Sequence, residues 1–249
     1  MSVITLTTDF SGSGYYLAAL KGVVLSAFPD TQLVEVSQNI RPREFREAAF
    51  TIQKAFKYFP EKTIHIVHVH AADSGGRLLI AEFRNHLFLV FDNGTAPLIF
   101  EYEAVNYYEV ETAKEHGSLF LQTIAGALRS IKENTYKSRP TKPHKDLRRL
   151  NPTGTSGNIR GSILFIDKFG NAITNIHYDL WSTMIKSDFV IDVSREKIEK
   201  LSRYYTDIPL GEIGAFFNAE NLLEITIGNG NAAQLLALRV DGAVMVMEK

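Results

Sequence analysis

Three stretches concentrate polar side chains where strands end. Thr7-Thr8-Asp9-Phe10, followed by Ser11-Gly12-Ser13-Gly14, closes a β-branched apolar run, the position at which open α/β sheets hold their ligands. Gly12 and Gly14 are followed by Leu17, so the loop lacks the third glycine of a dinucleotide cradle. Asp9 either caps the helix that follows or meets a ligand. The second stretch is His65-Ile66-Val67-His68-Val69-His70, then Asp73, Gly75, Gly76 and Arg77. Strand alternation puts His68 and His70 on one face and His65 on the other. A His-x-His pair is capable of metal ligation, but no third ligand stands near it in sequence, which favours ordinary half-buried histidines. Arg77 is either one half of a surface ion pair or a fixed cation aimed into a cleft. The third set is Asp167-Lys168-Phe169-Gly170-Asn171, Asn218-Ala219-Glu220-Asn221 with Glu224, and Gly228-Asn229-Gly230-Asn231-Ala232. As local structure these are turns; as a site they offer the carboxylates, amides and backbone donors that hold an amino acid and a purine edge.

The elements that must position these residues alternate in the first half of the chain. Val3 to Thr8 reads as a buried strand, Tyr16 to Ala27 as a helix stopped by Pro29, and Leu33 to Val36 as a second strand. A helix after Pro42 carries Phe45, Ala48, Ala49, Ile52 and Phe56 on one stripe, and Ile64 to Val69 is the next strand. Leu78 to Phe83 and Leu87 to Phe91 form a hairpin around Arg84-Asn85-His86, and a helix runs from about Ser118 to Ile131. The spacing therefore predicts an N-terminal α/β domain over 1–135 with a mostly parallel sheet. Residues 136–158, rich in Pro, Gly, Ser and basic side chains, read as a solvated linker. Short strand-like runs at 161–166, 171–176, 189–193, 222–227 and 243–247 then predict a small β-barrel over 159–249.

Composition bounds the chemistry. A chain of 249 residues buries roughly 70–75% of its extended surface, and 45% hydrophobic with 22% charged residues excludes a disordered or fibrous protein. With 27 basic against 28 acidic residues the net charge is -1, which disfavours nucleic acid and anionic membranes as partners. There is no cysteine, hence no disulfide, thiolate metal site or thiol nucleophile. The apolar runs are too short to span a bilayer and the start, MSVITLTTDF, lacks the layout of a signal peptide; the expectation is a cytoplasmic protein.

In order, ITLTTDF (4–10), LKGVVLSAFPD (20–30), AAFTIQKAFKYFPEKTIHIV (48–67), FDNG (91–94), HG (116–117), FIDKFGNAITNI (165–176) and NLLEITIGNGNAA (221–233) resemble the S-adenosyl-L-methionine hydroxide adenosyltransferase family, which is related to the adenosyl fluorinase and chlorinase. The resemblance covers nearly the whole chain, and its most specific part is FGNxxTNI joined to LEIxxGNGNAA. It implies an N-terminal α/β domain, a C-terminal barrel, and a homotrimer with a nucleoside site shared between neighbouring subunits. The implied chemistry is attack of water on ribose C5′ of S-adenosylmethionine, releasing adenosine and L-methionine, with no metal and no cofactor.

The resemblance implies a catalytic trio in which Arg77 and His116 match family residues, while His70 stands where the family has Asp. A neutral imidazole is able to accept a proton from water in that place. Gly14 stands where an Asp grips the ribose in the halogenase branch, and Ala219 where a Ser is usual. Asp9, Asp167, Asn171 and Glu224 are retained, and the resemblance implies that they contact the substrate, with Phe169 beside the adenine and backbone groups near Asn231 and Ala232 at its edge. Three other readings remain open: a halide transferase of the same fold, a nucleoside-binding protein without catalysis, and a metal hydrolase built on His68, His70 and His116.

Overall fold

A computed structural model describes residues 2–10, 14–71, 76–101, 103–110, 119–145, 147 and 151–249. The chain divides into two units, Met1–Arg149 and Leu150–Lys249.

The first unit opens with β1 (Ser2–Thr8), α1 (Tyr16–Ala27) and β2 (Thr31–Ser37), then α2 (Phe45–Ala55), which runs on into a short 3-10 turn. β3 (Ile64–His68), β4 (Leu78–Phe83), β5 (His86–Phe91), α3 (Thr95–Phe100), β6 (Asn106–Glu109), α4 (Leu119–Lys132) and β7 (Pro140–Thr141) complete it. The sheet order is β2-β1-β3-β5-β4-β6-β7. β2, β1, β3 and β5 pair in parallel, so their carboxyl ends share one edge; from the β5–β4 hairpin onward the pairing is antiparallel. The hairpin turns at Arg84 and Asn85, both with positive φ (46° and 61°), the backbone of a tight two-residue connection. One face of the sheet packs Ile4, Leu6, Ile66 and Ile80 against Leu20 and Val24 of α1 and Ile124 and Leu128 of α4. The other packs Val67, Leu79, Ala81 and Phe88 against Ala48 and Ile52 of α2 and Leu98 to Phe100 of α3. A strand covered on both faces has no solvent side, which is why β1 and β3 read as continuous apolar runs.

The second unit contains β8 (Thr153–Thr155), β9 (Asn158–Ile166), β10 (Ala172–His177), α5 (Tyr178–Met184), β11 (Phe189–Val193) and β12 (Glu196–Ile198). It ends with β13 (Ile213–Phe217), β14 (Leu222–Ile227), α6 (Ala232–Leu235) and β15 (Ala243–Glu248). The antiparallel order is β12-β11-β15-β9-β10-β14-β13, and β8 pairs β9 as well. Just past β12, Leu201 bridges Ala215 of β13, so the two ends of that order meet and the sheet is a nearly closed small barrel. Its core is Ile159, Ile163, Ile176, Ile191, Val193, Leu223, Ile225, Val244 and Val246, alternate residues of the strands pointing inward.

Both ends of the segment read as a linker are built into the units. Tyr136 donates its hydroxyl to Glu82 (2.5 Å), Pro140–Thr141 extends the first sheet, and Thr153–Thr155 pairs β9. α3, β6, β7, β8, α5, β12, β13 and α6 add to the elements read from the sequence.

Candidate active site

β1 and β3 lie side by side in parallel with Thr8 opposite His68, so the Thr7-Thr8-Asp9 and His68-Val69-His70 stretches leave the sheet together. Asp9 joins them: its Oδ2 accepts the His70 backbone N–H at 2.8 Å and its Oδ1 lies 3.7 Å from His68 Nδ1. The N-cap residue of α1, Tyr15, makes no side-chain cap bond, and among the described residues the Asp9 carboxylate is bonded at the strand edge. Burial pushes the Asp9 carboxyl upward, but the His68 imidazole and the His70 N–H outweigh it and hold the pKa below the usual carboxylate value. The His68 ring is wedged among Phe10, Phe91 and Phe120, with ring centroids 4.7, 5.2 and 4.6 Å away. Neither of its nitrogens, nor the hydroxyls of Thr7 and Thr8, has a hydrogen-bond partner among the described residues.

His65, on the opposite face, is satisfied at both nitrogens, by Thr5 Oγ1 at 2.7 Å and by His86 Nδ1 at 3.1 Å. Burial pushes its pKa down to about 3, helped by the neighbouring His86.

His70 departs from the expected alternation. β3 ends at His68, and His70 takes a positive φ of 41°, so it does not continue the face of His68. Its ring turns toward Phe45, and its Nε2 accepts a hydrogen bond from Arg43 Nε at 3.2 Å. The guanidinium at His70 is therefore that of Arg43. Arg77 makes ion pairs in this structure. Its guanidinium is bound by Asp92 and, at 3.0 Å, by Glu109, and it donates to Thr141 Oγ1 (2.6 Å) and the Lys142 carbonyl (3.2 Å). Asp92, its side chain only 2% exposed, also accepts the His144 N–H at 2.9 Å. The next residue, Asn93, donates to the Val69 carbonyl at 2.6 Å and accepts from Thr95, tying β5 to the end of β3. His116, Asp73 and the Ser11-Gly12-Ser13 loop lie outside the described residues. Gly14 is described; its φ of 100° is one a side chain at that position would strain.

In the barrel the substrate-contact candidates converge. Pairing of Ile173 with Glu224 and of Ala172 with Ile225 sets Asn171 beside Thr226, whose hydroxyl donates to the Asn171 Oδ1. Asp167 accepts the backbone N–H groups of Phe169 (2.9 Å) and Asn171 (2.8 Å) and the Asn171 side-chain amide (3.0 Å). Asn218 donates to Glu224 at 2.9 Å. Burial raises the Glu224 pKa, against the Asn218 hydrogen bond and with the Asp167 charge adding to it. Gly170 packs against Asn231 so closely that a Cβ there would sit 2.1 Å from the amide oxygen, and Ala233 N–H donates to the Gly170 carbonyl at 2.9 Å. Asn231 caps α6 through the Gln234 N–H, Ala232 is buried, and Phe169 stands 64% exposed between Asp167 and Asn171. Ala219 lies exposed in the turn between Asn218 and Asn221.

Among the described residues no group of three or more His, Asp or Glu side chains is arranged to hold a metal ion, and no helix is long and apolar enough to cross a membrane. The structure adds Arg43 and Thr226 to the residues singled out in sequence, and it gives partners to Asp92 and Asn93 of the FDNG stretch and to Asn218.

An α/β unit with a partly parallel sheet and a nearly closed small barrel define the architectural class. A chain from Thermotoga maritima described as an uncharacterized conserved protein shares the fold, with a TM-score of 0.85 at 20% identity over 99% of this chain and 100% of its own. A conserved hypothetical protein from Thermus thermophilus gives 0.78 at 22% over the same shares. Residues 4–127 match the SAM hydroxide adenosyltransferase N-terminal domain and residues 161–245 the C-terminal domain, and the chain belongs to that family. Two relatives named (R)-S-adenosyl-L-methionine hydrolase align along nearly the full length. The one from Thermus thermophilus is 22% identical, covering 96% of this chain and 97% of its own. The one from Methanocaldococcus jannaschii is 26% identical, covering 95% and 92%.

Proposed function

We propose that this chain hydrolyses S-adenosyl-L-methionine to adenosine and L-methionine. The observation that carries the reading is the end-to-end alignment with two relatives named for that reaction. The water oxygen bonds to ribose C5′, and the C5′–S bond breaks with its electron pair passing to sulfur. Methionine departs as a neutral thioether, and the surplus proton of the water is taken by an imidazole. A sulfonium is already a good leaving group, so the protein has to position the water in line and exclude its competitors. His70 is the proton acceptor in this reading: its Nε2 lone pair, which accepts from Arg43 at 3.2 Å, gives up that hydrogen bond to take the proton, and His116 is the third member of the trio that the resemblance implies. Arg77 is the cation of the trio in this reading, favouring a hydroxide-like water, and its pairing with Asp92 and Glu109 fixes where the guanidinium sits.

Asp9 meets the ribose. Asp167, Asn171 and Glu224, with the turn at Ala219, hold the polar ends of the substrate, while Phe169 and the backbone at Asn231 and Ala232 receive the adenine. No metal or other cofactor takes part, the working form is a homotrimer in which one subunit's first unit and its neighbour's barrel complete each site, and the setting is cytoplasmic. Incubating purified protein with S-adenosylmethionine, after chelator treatment, and separating the products by chromatography tests this: adenosine and methionine in equal amounts are expected, and no adenosine would refute it.

A second reading, a nucleoside-binding protein without turnover, is favoured by one observation, the commitment of Arg77 to two carboxylates alongside His70 at the family's Asp position. It predicts an inert wild type and an active His70→Asp variant in the same assay.

A further inference from the structure

His68 is a costly residue for its surroundings. Three phenylalanine rings enclose it, its side chain is only 8% exposed, and neither ring nitrogen is hydrogen-bonded among the described residues. Thr8, its register partner on β1, is unbonded too. A phenylalanine would fill such a slot and leave nothing unpaired, and folds keep unmet buried polar groups chiefly where function uses them. Among the described residues the carboxylate beside His68 is that of Asp9, 3.7 Å away, at the carboxyl edge of the parallel strands, where open α/β sheets hold their ligands.

We propose that His68 is a positioning residue: its imidazole, locked by Phe10, Phe91 and Phe120, fixes the Asp9 carboxylate as the group that receives the hydroxyls of the bound ligand. The identity of that ligand as a nucleoside rests on the function proposed above; the His68–Asp9 relation does not. The Asp9 carboxylate is held on its second oxygen by the His70 backbone N–H, and among the described residues His68 is the titratable side chain shown beside it; the His70 ring is met by Arg43. The lowered Asp9 pKa agrees with this arrangement.

The test compares wild type with His68→Phe, which fills the aromatic slot, and His68→Asn, whose amide N–H takes the place of Nδ1; His68→Leu serves as the apolar variant should the larger ring not fold. Three quantities are read: Tm, the titration midpoint of the Asp9 carboxyl by carbon NMR, and adenosine affinity by calorimetry. With the apolar residue, Tm holds or rises by roughly 2–4 °C, since an unpaired polar group is gone. The Asp9 midpoint moves upward and adenosine binds roughly 10–100-fold more weakly, while His68→Asn restores most of both. A fall in Tm with the Asp9 midpoint and the affinity unchanged would make His68 a packing residue only and overturn the proposal. If wild type neither binds nor releases adenosine but the Asp9 midpoint still rises in His68→Phe, the function assigned above fails and the positioning role stands.

Discussion

His65 and His68 sit three residues apart on β3 and face opposite sides of one sheet. His65 is sealed among Phe56, Phe59 and Phe88 with both nitrogens bonded; His68 is sealed among Phe10, Phe91 and Phe120 with neither bonded. Burial and aromatic packing are alike, so what separates a structural histidine from a working one is the account of its hydrogen bonds. By that criterion His65 is finished, whereas His68 and Thr8 on the face covered by α1 and α4, and Thr7 on the other, leave polar atoms open at the carboxyl end of β1 and β3.

The same criterion places Arg77 with the finished regions, and that yields the largest expected effect. Arg77→Ala strands Asp92, buried and stripped of its cation, and should cost about 3–5 kcal/mol in urea unfolding at neutral pH. A loss below about 1 kcal/mol with turnover abolished would return Arg77 to a purely catalytic role. Next, His65→Phe leaves the Thr5 hydroxyl and His86 Nδ1 without partners, for a loss of roughly 2–4 kcal/mol, against little or none for the apolar change at His68. Equal losses at the two positions would erase the contrast.

Acid gives a third, slightly smaller effect. The folded His65 pKa of about 3 lies below its unfolded value near 6.5, so the unfolded chain binds the extra proton. The stability present above about pH 6.5 is therefore lost as pH falls toward 3, and at pH 5 the loss from this one group is about 2 kcal/mol. The His65→Phe variant should lack that part of the slope; an unchanged slope would show that other groups set it. The smallest effect belongs to the barrel, where Asn231→Ala removes the cap of α6 and should cost about 1 kcal/mol by thermal unfolding.

Much of the frame was legible in the sequence because turn residues bracket it. Phe189–Val193 and Leu222–Ile227 come out with the bounds that their flanking Asp, Asn and Gly suggest, and α1 stops where Pro29 forbids continuation. α3 was hidden because TAPLIF has a proline and only six residues, too few to show a helical period, and β6 because NYYE has no alternating apolar face. In the site, alternation correctly set His65 apart from His68 but was carried two residues too far: it has no force at His70, where the strand has ended. The commitment of Arg77 could not be read from spacing, since its partners at 92, 109 and 141 are assembled by sheet order alone.

Hydrolysis in heavy-oxygen water is the most direct measurement of the central claim that water attacks the ribose C5′ of S-adenosylmethionine in this chain. The account predicts adenosine carrying one solvent oxygen at its 5′ hydroxyl and methionine carrying none. Adenosine without the label, or label in methionine instead, would contradict it.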